Sequence, residues 1–111
     1  DILSDIAAVI TGSMGLAPSA NINPDREYPS LFEPVHGAAF DIMGKGIANP
    51  LATVSAVAMM LDHLGEQEAA DRVDKAVARC LEQRTVLTVD LGGTASTSEM
   101  GDEAARLIRE G

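Results

Sequence analysis

The chain has 111 residues and a formal net charge of −9, from 17 acidic and 8 basic side chains. The bases are scattered, so no basic patch can follow a phosphate backbone or an anionic membrane, and we expect neither nucleic acid nor membrane as a partner. With 46% hydrophobic but only 3% aromatic residues, the composition is that of a globular domain with an aliphatic core. One cysteine excludes an intrachain disulfide, and no apolar run of about 20 residues occurs, which leaves a cytoplasmic location as the default expectation.

The first part of the chain predicts one helix and two short strands. Apolar residues recur at helical spacing over residues 1–12, where Gly12 is placed to end the helix. Residues 16–22 and 31–35 predict the strands, and Asn23-Pro24-Asp25 between them is a turn signal. These strands are too few and too short for a complete sheet, so we expect sequence outside this chain to complete it.

Residues 36–49 contain several glycines and little apolar periodicity, which predicts a loop. Loops of more than about 12 residues are uncommon in compact domains and are usually functional. A helix is then predicted to start with Asn49 as the N-cap and Pro50 at the first helical position, and to end at Gly65. The predicted apolar face of this helix consists of Leu51, Val54, Val57, Ala58, Leu61 and Leu64.

Two more helices and a strand are predicted in the remaining sequence. One helix covers about Glu66 to Gln83, and residues 85–91 alternate in a way that predicts a strand. Ser96 and Glu99 have the spacing of a capping box and open a last helix that runs to about Arg109. The predicted buried residues of the two helices are Ala69, Val73, Ala76, Val77, Cys80 and Leu81, then Met100, Ala104, Leu107 and Ile108. Helices interleaved with a few short strands indicate an α/β fold.

Asp1 and Asp5 are the first candidates for chemistry. Their i, i+4 spacing places both carboxylates on one helix face, about 5–6 Å apart. Oxygen ligands suit a hard cation such as Mg²⁺ or Mn²⁺. The alternative is that acids near a helix start stabilise its dipole. Two carboxylates cannot hold the ion alone, so further ligands would have to come from elsewhere.

The loop after the second predicted strand is the other candidate. Its small residues let backbone amides approach a ligand, and His36 can stack on a base or donate a hydrogen bond. Asp41 can accept hydrogen bonds from a ribose diol and repel a 2′-phosphate, which favours NAD over NADP. Asn49 offers adenine both a donor and an acceptor. The alternative is a structured loop whose polar side chains satisfy nearby backbone, and neither a Gly-x-Gly-x-x-Gly turn nor a P-loop occurs in the chain.

Other polar residues have structural explanations. His63 lies late in a predicted helix, where it complements the helix dipole. Residues 96–98 are better explained as a helix cap than as nucleophiles, because no histidine base is apparent nearby. Lys45 is interpreted as a surface residue, and Cys80 as a small core residue.

Two segments resemble the β-decarboxylating dehydrogenases, the isocitrate/isopropylmalate dehydrogenase family. Asp-Ile-Leu-Ser-Asp at 1–5 and Thr-Gly-Ser-Met-Gly-Leu at 11–16 are similar to the family's metal-site signature without its first residues. Glu-Pro-Val-His-Gly at 33–37 and Gly-Lys-Gly-Ile-Ala-Asn-Pro at 44–50 are similar to its adenosine-binding loop. The resemblance covers nearly the whole chain, so we interpret residues 1–111 as one compact unit from the C-terminal portion of such an enzyme.

The resemblance implies a site, position by position. Asp1 and Asp5 correspond to two aspartates that bind Mg²⁺ or Mn²⁺ together with the substrate, with a third from the partner subunit. Glu33 corresponds to a glutamate on the nicotinamide side of the cofactor. Asp41 and Ile42 stand where NADP-dependent relatives tend to have Lys and Tyr, which implies NAD. The residues implied to line the adenosine pocket are His36, Gly37, Ala38, Ala39, Asp41, Ile42, Ala48 and Asn49.

The implied activity is oxidation of a small 2-hydroxy acid by NAD⁺ with a divalent metal, followed by loss of CO₂. Residues 19–24 and Phe40 are similar to the tartrate and D-malate branch, with a 3-isopropylmalate dehydrogenase as the alternative. The family's substrate-binding arginines and its catalytic tyrosine and lysine are not in this chain. We therefore assign no catalytic residue, expect this segment alone to be inactive, and expect the whole enzyme to be at least a dimer.

Two other classes of function are compatible with the sequence. One is a binding module that keeps affinity for a nucleotide but has no chemistry. The other is an interaction segment that folds against a partner. In the latter case an isolated copy should expose a large apolar face where further strands and helices would pack.

Overall fold

The computed structural model describes residues 16, 18–27, 29–35 and 40–111, and the predicted helix over residues 1–12 lies outside them. In these residues the chain forms two strands, three α-helices and one 3₁₀ turn. In order they are β1 Pro18–Asn21, β2 Leu31–Pro34, α1 Leu51–His63, α2 Gln67–Gln83, the 3₁₀ turn Val89–Leu91, and α3 Thr97–Glu110. The predicted α/β class is confirmed.

β1 and β2 form an antiparallel pair, with Pro18 opposite Pro34 and Asn21 opposite Leu31. Both predicted strands are therefore confirmed. The predicted turn between them is also confirmed, because the Asn23 side-chain oxygen accepts a hydrogen bond from the Asp25 amide at 3.1 Å. Its backbone oxygen accepts from the Arg26 amide, also at 3.1 Å. Asparagine thus closes the turn with its own side chain.

α1 begins one residue later than predicted, with Pro50 at the N-cap position. The predicted capping chemistry is nevertheless present, since Asn49 Oδ1 accepts from the Leu51 amide at 2.9 Å. The helix ends before Gly65, whose φ is +85°, as predicted. Glycine reaches this left-handed conformation without the steric penalty that a Cβ brings.

The predicted apolar face of α1 was wrong in part. The buried residues are Leu51, Ala52, Ala56 and Ala58, whereas Val57 and Leu64 are exposed. α1 is apolar around most of its circumference, so periodicity alone does not single out one stripe. It packs on α2 along one side and on the hairpin along another. The small alanines of α1 allow a close approach of the neighbouring elements.

α2 and α3 bury much of the stripes that their spacing predicts, but Val77 and Leu81 of α2 are only half-buried. In α2 the buried residue of the first turn is Ala70, and Ala69 is half-buried. In α3 the predicted inner residues are buried, apart from the half-buried Ile108. One cluster forms the core between the three helices, and its members are Leu51, Ala76, Cys80, Leu87, Met100, Ala104 and Leu107.

The predicted strand at residues 85–91 is wrong, because the chain there is irregular and then turns at Val89–Leu91. Leu87 and the adjacent Thr88 are both buried, which is not the alternating burial of a half-buried strand. The carbonyls that a ladder would need are used locally. Leu87 O accepts from the Ala95 amide at 2.9 Å, and Thr88 O accepts from the Leu91 and Gly93 amides at 3.0 Å.

None of the helices in the described part of the chain is both long and apolar enough to cross a membrane.

Candidate functional site

The structure describes five of the predicted site residues. These are Glu33, Asp41, Ile42, Ala48 and Asn49. The other predicted residues lie outside the described part and remain predictions; they are Asp1, Asp5, His36, Gly37, Ala38 and Ala39. Among the described residues, no group of three His, Cys, Asp or Glu side chains is placed to hold a metal ion.

Glu33 lies on β2 and is exposed. Side chains alternate between the two faces of a strand, and its neighbours Phe32 and Pro34 are partly buried. The Phe32 ring lies 5.6 Å from the ring of His63 at the end of α1. The Glu33 carboxylate therefore belongs to the face of the hairpin that points away from α1.

The loop before α1 presents open backbone between residues 40 and 47. Asp41 is exposed, and the Lys45 amide donates to Ile42 O at 3.2 Å to close a turn. Gly44 and Gly46 have φ values of +81° and +68°, and a Cβ added at either would meet no atom within 4 Å. These glycines are needed for their left-handed conformation, and the space in front of them is free within the described structure. A ligand could approach this backbone closely.

The N-terminus of α3 binds the backbone of the same loop through hydrogen bonds. The Thr97 amide donates to Gly46 O at 2.8 Å, and Thr97 Oγ1 donates to Ala48 O at 2.5 Å. The start of α3 is itself fixed by the predicted capping box. Ser96 Oγ accepts from the Glu99 amide at 3.1 Å, and the Ser96 amide donates to Glu99 Oε1 at 2.8 Å. Hydrogen bonding to the Ser96 amide first, and then to the Ser96 side chain, holds the pKa of the Glu99 carboxyl below its ordinary value.

Asn49 is turned inward, with only 7% of its surface exposed. Its Oδ1 accepts from the Leu51 amide, and its Nδ2 donates to Asp90 Oδ2 at 3.0 Å. The amide orientation is forced, because a backbone amide only donates and a carboxylate only accepts. One Nδ2 hydrogen is all the donor capacity left for any other contact.

Asp90 connects the loop to the helical core. Its Oδ1 accepts from Thr88 Oγ1 at 2.5 Å, while its Oδ2 accepts from Asn49. Thr88 is completely buried, and its hydroxyl also lies 3.6 Å from the sulfur of Met100 on α3. Sequence reasoning missed both Asp90 and Thr97 as parts of the site. The available signal was a lone carboxylate in an apolar stretch before Gly92.

A separate cavity of about 350 Å³ lies between the hairpin turn and the end of α1. Arg26 Nη2 donates to His63 O at 2.8 Å, and Ser30 Oγ lies 3.4 Å from His63 Nε2. Arg26 thus neutralises part of the negative end of the helix dipole. His63 occupies the last turn of α1, the position predicted for it.

The comparison with known families identifies the class of this protein. The model of the isocitrate/isopropylmalate dehydrogenase family matches residues 1–104 of the 111-residue chain. The chain belongs to this family, which confirms the resemblance drawn from the metal-site and adenosine-loop segments.

Individual members of this family are similar to the chain over nearly its whole length. The chain is 56% identical over 108 residues to a protein of Agrobacterium vitis named probable tartrate dehydrogenase/decarboxylase, with 97% of this chain and 30% of that protein covered. It is 52% identical over 110 residues to the homoisocitrate dehydrogenase of Methanocaldococcus jannaschii, with 99% of this chain and 30% of that protein covered. The solved isocitrate dehydrogenase of Methylococcus capsulatus superimposes with a TM-score of 0.88 at 44% identity, over 97% of this chain and 32% of that one. The chain therefore spans about 30% of the length of the curated relatives that it matches.

Proposed function

We propose that the chain is part of an NAD-dependent, divalent-metal-dependent oxidoreductase that oxidises and decarboxylates a small 2-hydroxy acid such as tartrate or D-malate. The observation that carries the proposal is the loop at residues 40–49, which combines open glycine backbone with the exposed carboxylate of Asp41. Membership of a dehydrogenase family supports the reaction class. The name of the Agrobacterium vitis relative supports a tartrate-type substrate.

NAD is the proposed cofactor because of the charge at position 41. An exposed carboxylate can accept two hydrogen bonds from the 2′- and 3′-hydroxyls of a ribose. The same carboxylate would repel the 2′-phosphate of NADP. A Cβ added at Gly44 or Gly46 would meet no atom within 4 Å, which supports close approach of a nucleotide to this backbone.

Mg²⁺ or Mn²⁺ is the proposed metal, with Asp1 and Asp5 as two of its ligands. Carboxylate oxygens suit such hard cations. When bound, the ion would polarise the substrate hydroxyl and stabilise the charge that develops during decarboxylation. Both aspartates lie outside the described residues, so their assignment rests on their spacing and on the family resemblance.

The activity is proposed for the whole enzyme and not for residues 1–111 alone. We propose that these residues form one unit that supplies two metal ligands and most of the adenosine pocket, with Glu33 on the nicotinamide side. The general acid and base would come from the remaining sequence, and a second subunit would complete the metal site. The isolated segment is expected to show no turnover.

The test uses the complete polypeptide that contains this sequence, assayed by NADH absorbance with D-malate, tartrate and 3-isopropylmalate. We expect turnover with NAD⁺ that chelation by EDTA abolishes and that added Mg²⁺ or Mn²⁺ restores. Preference for 3-isopropylmalate would move the substrate assignment to that branch. Absence of NAD⁺-linked turnover with all three acids, in the presence of metal, would contradict the proposal.

The cofactor choice has a sharper test in Asp41→Ala. Hydrogen bonds to a charged group contribute about 1.5–3 kcal/mol, so the ratio of kcat/KM for NAD⁺ over NADP⁺ should fall by about tenfold or more. Asp25→Ala is the matched control, because it removes an exposed carboxylate from the hairpin turn and should leave the ratio unchanged. An unchanged ratio in Asp41→Ala would show that Asp41 does not select the cofactor.

A second candidate is an interaction segment without catalysis, and the exposed apolar side chains favour it. These are Ile22, Leu31, Phe40, Met43, Val57, Leu64 and Val89, with Phe40 the most exposed at 80%. Under the dehydrogenase proposal the missing parts of the enzyme cover many of them. Binding of NAD⁺ by calorimetry together with turnover in the complete polypeptide would exclude the non-catalytic alternative.

A further inference from the structure

Asp90 stands at the junction of three parts of the structure. One carboxylate oxygen accepts a hydrogen bond from Asn49 at the end of the loop at residues 40–49, and the other accepts one from Thr88. Thr88 is completely buried, and its hydroxyl lies against Met100 of α3. A carboxylate held by a buried hydroxyl provides a fixed acceptor for whatever binds its other oxygen.

Asn49 takes its place from this acceptor and from the start of α1. Its oxygen binds the Leu51 amide at 2.9 Å, and its nitrogen binds Asp90 at 3.0 Å. Because the two ends of the amide have opposite hydrogen-bonding character, only one orientation satisfies both partners. The backbone that leads into Asn49 is thereby held at one position relative to the helices.

We propose that Asp90 is a positioning residue for cofactor binding, which acts through Asn49 to hold the backbone of residues 44–49 where it receives the adenosine part of NAD. The inference rests on the proposed function, and it assigns Asp90 no contact with the cofactor. It also gives the Asn49 side chain a structural role in place of the adenine contact expected from the sequence. The side chain is occupied inside the protein, so the loop presents backbone to the nucleotide.

The second anchor of the loop makes the effect of Asp90 separable from folding. Thr97 holds Gly46 O and Ala48 O independently of Asp90. Asp90 itself is exposed and is not a member of the apolar core. Loss of its carboxylate should therefore leave the helices in place and release the Asn49 end of the loop.

The test compares variants of the complete polypeptide. Asp90→Ala removes both carboxylate oxygens, so the Asn49 nitrogen and the Thr88 hydroxyl both lose their acceptor. We expect KM for NAD⁺ to rise by about tenfold, which corresponds to about 1.4 kcal/mol. The kcat and the KM for the hydroxy acid should stay within about twofold of wild type, because the reacting atoms are not involved.

An exchange of the two groups separates positioning from a general loss of structure. In the double variant Asn49→Asp with Asp90→Asn, the new amide at 90 can donate to 49 and accept from Thr88, while the new carboxylate at 49 still accepts from the Leu51 amide. All of these hydrogen bonds are regained, so KM for NAD⁺ should return to within about threefold of wild type. Leu107→Ala is the stability control, since it disturbs the core near the far end of α3 and should not change KM for NAD⁺.

The outcomes distinguish the two proposals. If the wild-type polypeptide shows no NAD⁺-linked turnover, the proposed function fails and this inference fails with it. If the wild type is active and Asp90→Ala leaves KM for NAD⁺ unchanged, only the positioning role is refuted. The same holds if the double variant melts at the wild-type temperature but has the raised KM of Asp90→Ala, or if Leu107→Ala raises that KM as much as Asp90→Ala does.

Discussion

Gly93 packs against backbone so closely that a single methyl group should break the segment that carries Asp90. A Cβ at this position would lie 2.0 Å from Leu87 O and 2.6 Å from Leu87 C. Ordinary van der Waals contact begins near 3.4 Å. The backbone segments at Gly93 and Leu87 would therefore have to separate by at least about 1.4 Å, the difference between 3.4 and 2.0 Å. The obstacle is a backbone carbonyl, which cannot rotate away as the end of a flexible side chain can.

The expected loss follows from the contacts that this separation breaks. The Gly93 amide donates to Thr88 O at 3.0 Å, and the Ala95 amide donates to Leu87 O at 2.9 Å. Each bond contributes about 1 kcal/mol net, and overpacking itself costs about 1–3 kcal/mol. Gly93→Ala should therefore lower the free energy of unfolding by about 3–5 kcal/mol.

The adjacent Gly92 provides the matched control. Its φ is +85°, and a Cβ there would meet no atom within 4 Å. Gly92→Ala therefore carries only the left-handed strain, about 1–2 kcal/mol, part of which is offset by the reduced freedom of the unfolded chain. Urea unfolding of the complete polypeptide, followed by circular dichroism, measures both variants. If Gly92→Ala destabilises as much as Gly93→Ala, the steric argument is wrong.

Three further predictions concern α3 and the core. Ser96→Ala removes the hydroxyl oxygen that accepts a hydrogen bond from the Glu99 amide. It should lower the free energy of unfolding by about 1 kcal/mol in urea titrations. Because the folded-state pKa of Glu99 is depressed, its stabilising contribution is present above about pH 4.3 and is lost as the pH falls through the folded value, and this acid-limb dependence should shrink in Ser96→Ala. Leu107→Ala should cost about 2–5 kcal/mol, because Leu107 is 1% exposed, and a loss under 1 kcal/mol would contradict its place in the core. Burial raises the pKa of the Cys80 thiol, so stability should fall as the pH rises above about 8.5, and Cys80→Ala should remove that decline from thermal melts recorded between pH 7 and 10.

Signals that act over a few residues were read correctly from the sequence. The capping box of Ser96 and Glu99 was predicted with the partners that the structure shows, because the two residues are three apart. The turn at Asn23 was predicted for the same reason. Gly65 ends α1 because a left-handed residue suits glycine whatever the tertiary context. Such features depend on local backbone geometry alone.

Signals that depend on distant partners were not readable. The alternation at residues 85–91 predicted a strand, but those carbonyls bind the 91–95 segment and form no ladder within the described structure. The exposure of Val57 depends on where α2 and the hairpin lie, which the period of α1 does not reveal. An apolar pattern shows that a residue can be buried, and the neighbouring elements decide whether it is.

In the candidate site, too, local features were predictable from the sequence and contacts between distant residues were not. The loop itself was predictable from its glycines and its length, and Asn49 was recognisable as a helix cap. Its partner Asp90 is 41 residues further along the chain, and Thr97 is 49 residues from Ala48. Neither pairing leaves a periodic or spaced pattern in a single sequence. The residues that hold a site in place are therefore harder to find than the residues that form it.

Hydrogen bonds from residues outside the loop hold its last residues, 46–49, against the helical core. Glycines at 44 and 46 make the loop backbone permissive, and a permissive backbone has a large conformational entropy to lose on binding a ligand. That loss is reduced if the protein has already fixed the loop, as hydrogen bonds from α3 and Asp90 do at Gly46, Ala48 and Asn49. Under the proposed function, the glycines provide close approach to a nucleotide, while these anchors restrict the motion that glycine would otherwise allow. Under the proposed function, affinity for the adenosine part of NAD should accordingly depend on the anchoring residues Asp90 and Thr97, and not on residues at the C-terminal end of α3.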